Sequence, residues 1–283
     1  MTTVAAAVTR LVEAATVAQK WRELDATVRK GEAAVSDAFV AQGRVVVRAF
    51  AALRPYFVEG WFSIGSTGVA LREAGPVPDD ALNRVWAEIS REMLALMLAS
   101  IIDINEMGLI LGAGALAAQL GIDFEKAFRL KNPRAVAYLD VHGAALVTKI
   151  NEETRSQMKT LLTQAVDEGW SYSRTAKAIR DMFEGFAGLK PQKHIRDRAT
   201  LVAVTEAGQA YEAGSQIVAK NLADAGIRME KFWRTSGDER VSDGCKDNQA
   251  AGWIAVEEMF PSGNDRPLRF PGCRCTALYR RAR

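Results

Sequence analysis

The stretch Trp233-Arg234-Thr235-Ser236-Gly237-Asp238-Glu239-Arg240-Val241, the Cys245 after it and the run Phe270-Pro271-Gly272-Cys273-Arg274-Cys275-Thr276 decide how this chain ends. All three cysteines of the protein fall here. Met229, Lys231 and Trp233 alternate with Glu230, Phe232 and Arg234, which suits a strand. Ser236-Gly237-Asp238 is a turn signal, because Gly and Asp accommodate the backbone angles that turns require. Trp253-Ile254-Ala255-Val256 pairs as a second strand, Ser262-Gly263-Asn264-Asp265 reads as an exposed loop, and Thr276-Ala277-Leu278-Tyr279 makes a closing strand. The ending is a small cross-braced α+β unit.

Upstream of Ile227 the pattern is helical. Val8, Leu11, Val12, Ala15, Ala18, Trp21 and Leu24 recur with a 3.6-residue period, predicting a helix over residues 4–28. Gly31, Gly43, Gly60, Gly65 and Gly68 punctuate the next segment, and Arg54-Pro55 and Pro76-Val77-Pro78 mark breaks. Asp79 or Asp80 then caps an apolar helix with Leu82, Val85, Trp86, Ile89, Met93, Leu96, Met97 and Ser100 on one face. The glycines between Gly108 and Gly121 follow no strand, so Gly112-x-Gly114 predicts close helix packing rather than a phosphate loop. Asn132-Pro133 breaks the chain before a short connector, Ala135 to Leu139, and a boundary is placed near residue 140.

Beyond it, Val147, Ile150, Thr154, Met158, Leu161, Leu162 and Ala165 stripe a helix ended by Gly169. Ser171 caps the next, whose face is Tyr172, Ala176, Ile179, Met182 and Phe183. Gly185, Gly188 and Pro191 form a loop, and a third helix runs from about Ile195 to Asp224 until Gly226 stops it. The fold class is mainly α with a small α+β C-terminal module: a helical region over 1–140, and over 141–283 helices followed by the cysteine-containing unit.

Composition narrows the function. Apolar residues are 48% and charged residues 25%, ordinary for a folded protein with a core, and a net charge of +3 does not describe a polyanion-coating protein. Arginines 266, 269, 274, 280, 281 and 283 gather at the end; a solvated terminus is the expectation, with a nonspecific contact to DNA phosphate or to an acidic protein surface as its alternatives. The apolar stretch Met93 to Leu120 is cut by Asp103, Asn105 and Glu106, and neither half reaches the roughly 20 residues a bilayer demands, so two buried amphipathic helices or one long buried helix are expected and no membrane span. The start of the chain lacks the pattern of a secretory signal. Three cysteines do not make a disulfide framework, so assembly in a reducing cytoplasm is expected.

Three segments, in order, resemble the phage Mu F-like minor head proteins. They are the helix pair Thr148 to Phe183 with its Glu168-Gly169-Trp170-Ser171 joint, the helix with Thr205-Glu206 and its alanine-rich continuation, and the ending quoted above. Relatives commonly carry another cysteine and a histidine-proline where this chain has Ser242 and Phe270, which removes two would-be metal ligands. The resemblance implies a virion protein of the phage head interior or portal vertex, assembled in the host cytoplasm. Its implied partners are the portal protein and capsid or scaffold proteins, and its implied work is head morphogenesis, with genome packaging or ejection. No catalysis is established for the family.

The residues expected to hold the module are Trp233, Asp238, Arg240, Cys245, Cys273 and Cys275. A closed zinc site wants four ligands and the cysteines supply three, with Asp243 or Asp247 able to complete the set. Metal-free packing is the expectation; zinc and a disulfide from Cys245 to Cys273 or Cys275 are its alternatives. Asp238 and Arg240 are read as an ion-paired brace, as a contact with another capsid component, or as a turn-capping Asp beside a solvated Arg, and Glu206 as a carboxylate near that Arg or as a surface residue. No catalytic signature stands out, and His142 and His194 read as helix-end or loop residues, so no enzyme is expected. The rival functions are a zinc-dependent nucleic-acid-binding module and a hydrolase or transferase using Cys245 or Cys275 with a histidine.

Overall fold

The computed structural model describes residues 2–51, 79–168, 170–188 and 198–282. Readings that rest on Arg54-Pro55, Gly60, Trp61, Gly65, Gly68, Pro76 to Pro78, Gly169, Pro191, His194, Ile195 and Arg283 lie outside these residues. The helices are α1 (Thr2–Phe50), α2 (Asp79–Leu120), α3 (Phe124–Ala127), α4 (Pro133–Asp167), α5 (Tyr172–Gly188), α6 (Arg198–Asp224) and α7 (Asp243–Ala250). The strands are β1 (Met229–Arg234), β2 (Trp253–Ala255) and β3 (Thr276–Arg281). The protein is thus mainly helical, with one small sheet near its C-terminus.

Two compact units form, each from separated segments: residues 1–33, 101–143 and 200–283 in one, residues 34–100 and 144–199 in the other. The units cut across the boundary read near residue 140, because α1, α2 and α4 each supply residues to both. Ala135 to Leu139, expected as a connector, lies inside α4, where Pro133 takes the first helical position and sacrifices no internal hydrogen bond.

In the second unit α1 runs unbroken through Gly43. A side chain there would meet Phe183 Cβ at 2.7 Å, so the glycine marks a close approach and not an end. Around it Val35, Phe39, Val46, Met93, Met97, Ile150, Met158, Ile179 and Phe183 are buried. Gln42, fully buried, donates to the Met93 carbonyl at 2.8 Å and to Asn151 at 3.3 Å. Arg198 donates to the Ile150 carbonyl at 2.8 Å and packs over the rings of Phe39 and Phe186. Ser171 Oγ accepts from the Arg174 amide at 3.2 Å, the N-cap role its sequence position predicts.

The first unit is held by close packing of α2 on α6. A Cβ at Gly112 would lie 1.8 Å from the Tyr211 carbonyl oxygen, and one at Gly214 would lie 2.1 Å from that of Leu109. Ser215 adds a 2.8 Å bond to the Gly112 carbonyl. Gly112→Ala is therefore expected to force the helices apart and cost at least about 1–3 kcal/mol, read as a lower urea midpoint. By contrast Gly114→Ala, with only Phe124 carbons at 4.0 Å, is expected to be close to neutral.

Asp103, Asn105 and Glu106 do not split α2. Asp103 pairs with Lys30 at the surface, and Asn105 turns inward to Glu206, so both polar groups are met without a break. Uninterrupted, α2 is one long helix, the second of the two arrangements expected, and within Asn83–Leu120 it holds a window of mean hydropathy 1.8, long and apolar enough by length and composition alone to cross a membrane. Leu94, Leu98 and Ile102, spaced by one helical turn, form an exposed apolar stripe on the same helix.

α6 ends where Gly226 takes a φ of +85°, a conformation costly for residues with a Cβ. The Gly226 and Ile227 amides return to the Ala223 and Leu222 carbonyls, closing the helix and launching β1. β1 is the central strand of an antiparallel sheet ordered β2-β1-β3, with Lys231 opposite Ile254 on one side and Tyr279 on the other. Met229 and Tyr279 join Leu109, Leu116, Phe128, Tyr138, Ile217 and Val256 in one core.

The C-terminal thiol cluster as candidate functional site

Alternation along β1 turns Met229, Lys231 and Trp233 to the buried side. Trp233 is fully buried and meets Phe260 edge-on at 5.1 Å. These rings wall a second core containing Cys245, Leu268, Cys273 and Cys275. Cys245 reaches it from α7. The local signal is Ser242-Asp243-Gly244-Cys245: an N-cap residue with an acid in the first turn.

The three sulfur atoms lie within 4.8 Å of one another, and those of Cys245 and Cys273 are 3.9 Å apart. All three thiols are free in this structure, which contains neither of the pairings considered from sequence, Cys245 with Cys273 or Cys245 with Cys275. The bond would require about 2 Å. The Cys273 thiol is pushed down to about 2 by hydrogen bonds from Cys245 and Cys275, with the Cys275 and Arg269 amides adding to the effect against the cost of burial. Cys275 is pushed up by its hydrogen bonds with Cys245 and Cys273 and by burial, and Cys245 is raised, first by its hydrogen bond to Cys273. One sulfur thus accepts what the others donate.

Polar braces fix this core from outside. Arg274, between the two late cysteines, binds Asp238 through a short charged hydrogen bond. The Arg240 amide donates to Asp238 Oδ1 at 3.1 Å, while its guanidinium is half exposed and 3.5 Å away. Asp238 is therefore a brace, but its principal partner is Arg274, which sequence reasoning missed. Arg240 contributes chiefly its backbone. Burial raises the Asp238 carboxyl, yet the Arg274 and Arg240 hydrogen bonds and charges outweigh it and hold it below the usual range.

A second brace is Glu212, wholly buried on α6. It accepts from Lys20 Nζ at 2.7 Å, Thr276 Oγ1 at 2.7 Å and the Ala277 amide at 2.9 Å. Lys20 also donates to the Cys275 carbonyl at 3.0 Å, and Trp21 Nε1 to that of Arg274 at 3.4 Å. Sequence reasoning missed both members of this ion pair. The available signal was a lysine set between buried Val17 and Leu24 at helical spacing.

Neighbouring Thr205 accepts from the Gly272 amide at 3.0 Å, tying α6 to the Cys-x-Cys turn. Glu206 is fully buried, 3.2 Å from Asn105 Nδ2 and 3.5 Å from His142 Nε2, which corrects both the surface reading and the pairing with Arg240. His142 stacks on Tyr138 within α4; it is neither a helix-end nor a loop residue.

The loop read as exposed is pinned as well. Asp265 accepts from Lys231 at 2.8 Å and Lys220 at 2.9 Å, and Ser262 exchanges hydrogen bonds with buried Asn248. Burial pushes the Asp265 carboxyl up, but its hydrogen bonds with Lys231 and Lys220 prevail and lower it. A carboxyl lowered on folding stabilises the protein above its unfolded pKa, about 3.9, and loses that contribution as pH falls through the folded value. The melting temperature is therefore expected to drop below about pH 4, and Asp265→Asn to flatten that part of the curve.

Three of the six arginines at the end are engaged in the fold. Arg266 donates to Gln216 at 3.0 Å, Arg280 to Glu230 at 2.7 Å while lying over Trp253, and Arg274 to Asp238.

A helical scaffold carrying a small sheet, sealed by indole rings and a thiol cluster, is the class of module that fold and site define. Residues 156–278 match the family model described as "Phage Mu protein F like protein", so this part of the chain is similar to that family. No curated protein and no solved structure matches the chain.

Proposed function

We propose that this protein is a minor head protein of a phage particle, joined to the portal or inner capsid and acting in head morphogenesis by binding. The observation that carries this reading is the Mu F-like match over residues 156–278. Two physical features support a binding role. The terminal module is braced by buried charges and hydrogen bonds at almost every turn, as suits a rigid docking unit. The stripe of Leu94, Leu98 and Ile102 on α2 offers apolar surface to a partner. The thiols are buried, and His142 contacts Tyr138 and Glu206 and not a cysteine. Genome packaging or ejection would follow from a place at the portal vertex.

The test is co-expression with the portal protein of the same genome. Co-purification that is lost in Leu94→Asp/Leu98→Asp supports the reading, and so does labelling of the chain at one vertex of intact particles. Particles free of this chain, or turnover of a substrate by the purified protein, would overturn it.

A further inference from the structure

We infer that Cys245, Cys273 and Cys275 form a tetrahedral zinc site whose fourth corner is filled by Ser242 or by a water molecule beside it. The spacing of the sulfurs carries this. A tetrahedral ion with zinc–sulfur bonds of about 2.3 Å holds its sulfurs about 3.8 Å apart. Cys245 and Cys273 are 3.9 Å apart, and all three sulfurs lie within 4.8 Å, so an ion would draw them together by ~1 Å at most. The same distances are nearly twice a disulfide bond. Three thiolates are the donor type that selects zinc over the hard cations, which prefer oxygen.

Ser242 is the independent observation. It stands at the N-cap of α7, where a serine hydroxyl ordinarily accepts an amide proton of the first turn, but it makes no such bond. Its Oγ is buried and approaches the Cys245 thiol instead of a backbone amide. Three residues before Cys245, it shares the side of α7 that faces the thiols. A thiol is a weak partner for a buried hydroxyl, and a metal ion or its bound water would satisfy it better. The site joins α7 to the Cys-x-Cys turn, so zinc would cross-link the module in any role the protein plays.

The full-length chain, purified without chelator under reducing conditions, is analysed for metal and then exchanged with cobalt(II). The expected result is about one zinc per chain and the absorption bands of a tetrahedral cobalt–thiolate centre. Cys273→Ser is expected to lose the metal. Ser242→Cys, which completes a four-thiolate set, is expected to hold it against a chelator that strips the wild type. Because Cys273→Ser could fail by unfolding, the wild-type cobalt spectrum and Ser242→Cys decide the matter. A folded wild-type protein with neither zinc nor cobalt bands would overturn the inference. So would a Cys245–Cys273 disulfide in protein kept reduced, or a Ser242→Cys variant with unchanged metal retention.

Discussion

Replacing Glu212 by alanine is expected to lower the stability of the C-terminal module by about 3–5 kcal/mol, the range for removing one partner of a buried ion pair. The ammonium of Lys20 would be left in a site where both side chains are only 1% exposed, with the Cys275 carbonyl as its one remaining acceptor. Thr276 and the Ala277 amide would lose their acceptor as well, detaching β3 from α6. The measurement is the guanidinium midpoint at constant slope, followed by tryptophan fluorescence. Lys20→Met combined with Glu212→Gln removes the charge from both partners while keeping an acceptor for β3, and is expected to recover much of the loss. Failure of that double variant to improve on Glu212→Ala would mean that the pair is not what holds the strand.

Trp233→Ala should cost about 3–5 kcal/mol, as large-to-small changes of buried aromatics do. The indole is fully buried, packs edge-on against Phe260 and lines the core that contains the three thiols. The cavity would lie in the middle of β1, the one strand hydrogen-bonded on both sides, so collapse around it is restricted. Trp233→Phe is expected to be much milder. It retains a ring against Phe260 and removes the indole N–H, which finds no partner among the described residues. Trp253→Ala serves as the comparison: half-buried on the edge strand β2, it packs against Phe232 and under Arg280, and its loss should cost clearly less. Thermal unfolding of the three variants ranks them, and equal losses at 233 and 253 would contradict the burial argument.

Much of the module is legible in the sequence itself, because its signals are local. Alternation over Met229 to Arg234 is a property of six consecutive residues, and the turn at Ser236-Gly237-Asp238 is equally short-range. The helix stop at Gly226 and the cap at Ser171 likewise need only their neighbours. The convergence of the cysteines is suggested only by the family resemblance, since Cys245 and Cys273 are far apart in the chain and no local rule brings them together.

What escaped the sequence was long-range. Gly31 and Gly43 resemble breaks when read locally. In the fold they are contact points, where a Cβ would strike Ile104 at 2.4 Å and Phe183 at 2.7 Å. Glycine's cost in a helix is about 1 kcal/mol, less than the packing it permits. Glu212, Lys20 and Glu206 resemble surface charges until α6 is placed against α1, α2 and β3, and only that placement takes them out of water.

Residue order alone determined the helical class, the inward face of β1 and the start and stop of several helices, because backbone preference and side-chain periodicity act within a few residues. Only the tertiary structure decided which charges are buried, that α1 and α2 run unbroken, and that three thiols and a serine share one pocket. Those outcomes depend on contacts between residues up to 255 positions apart, as between Lys20 and Cys275, where desolvation and packing outweigh local propensity.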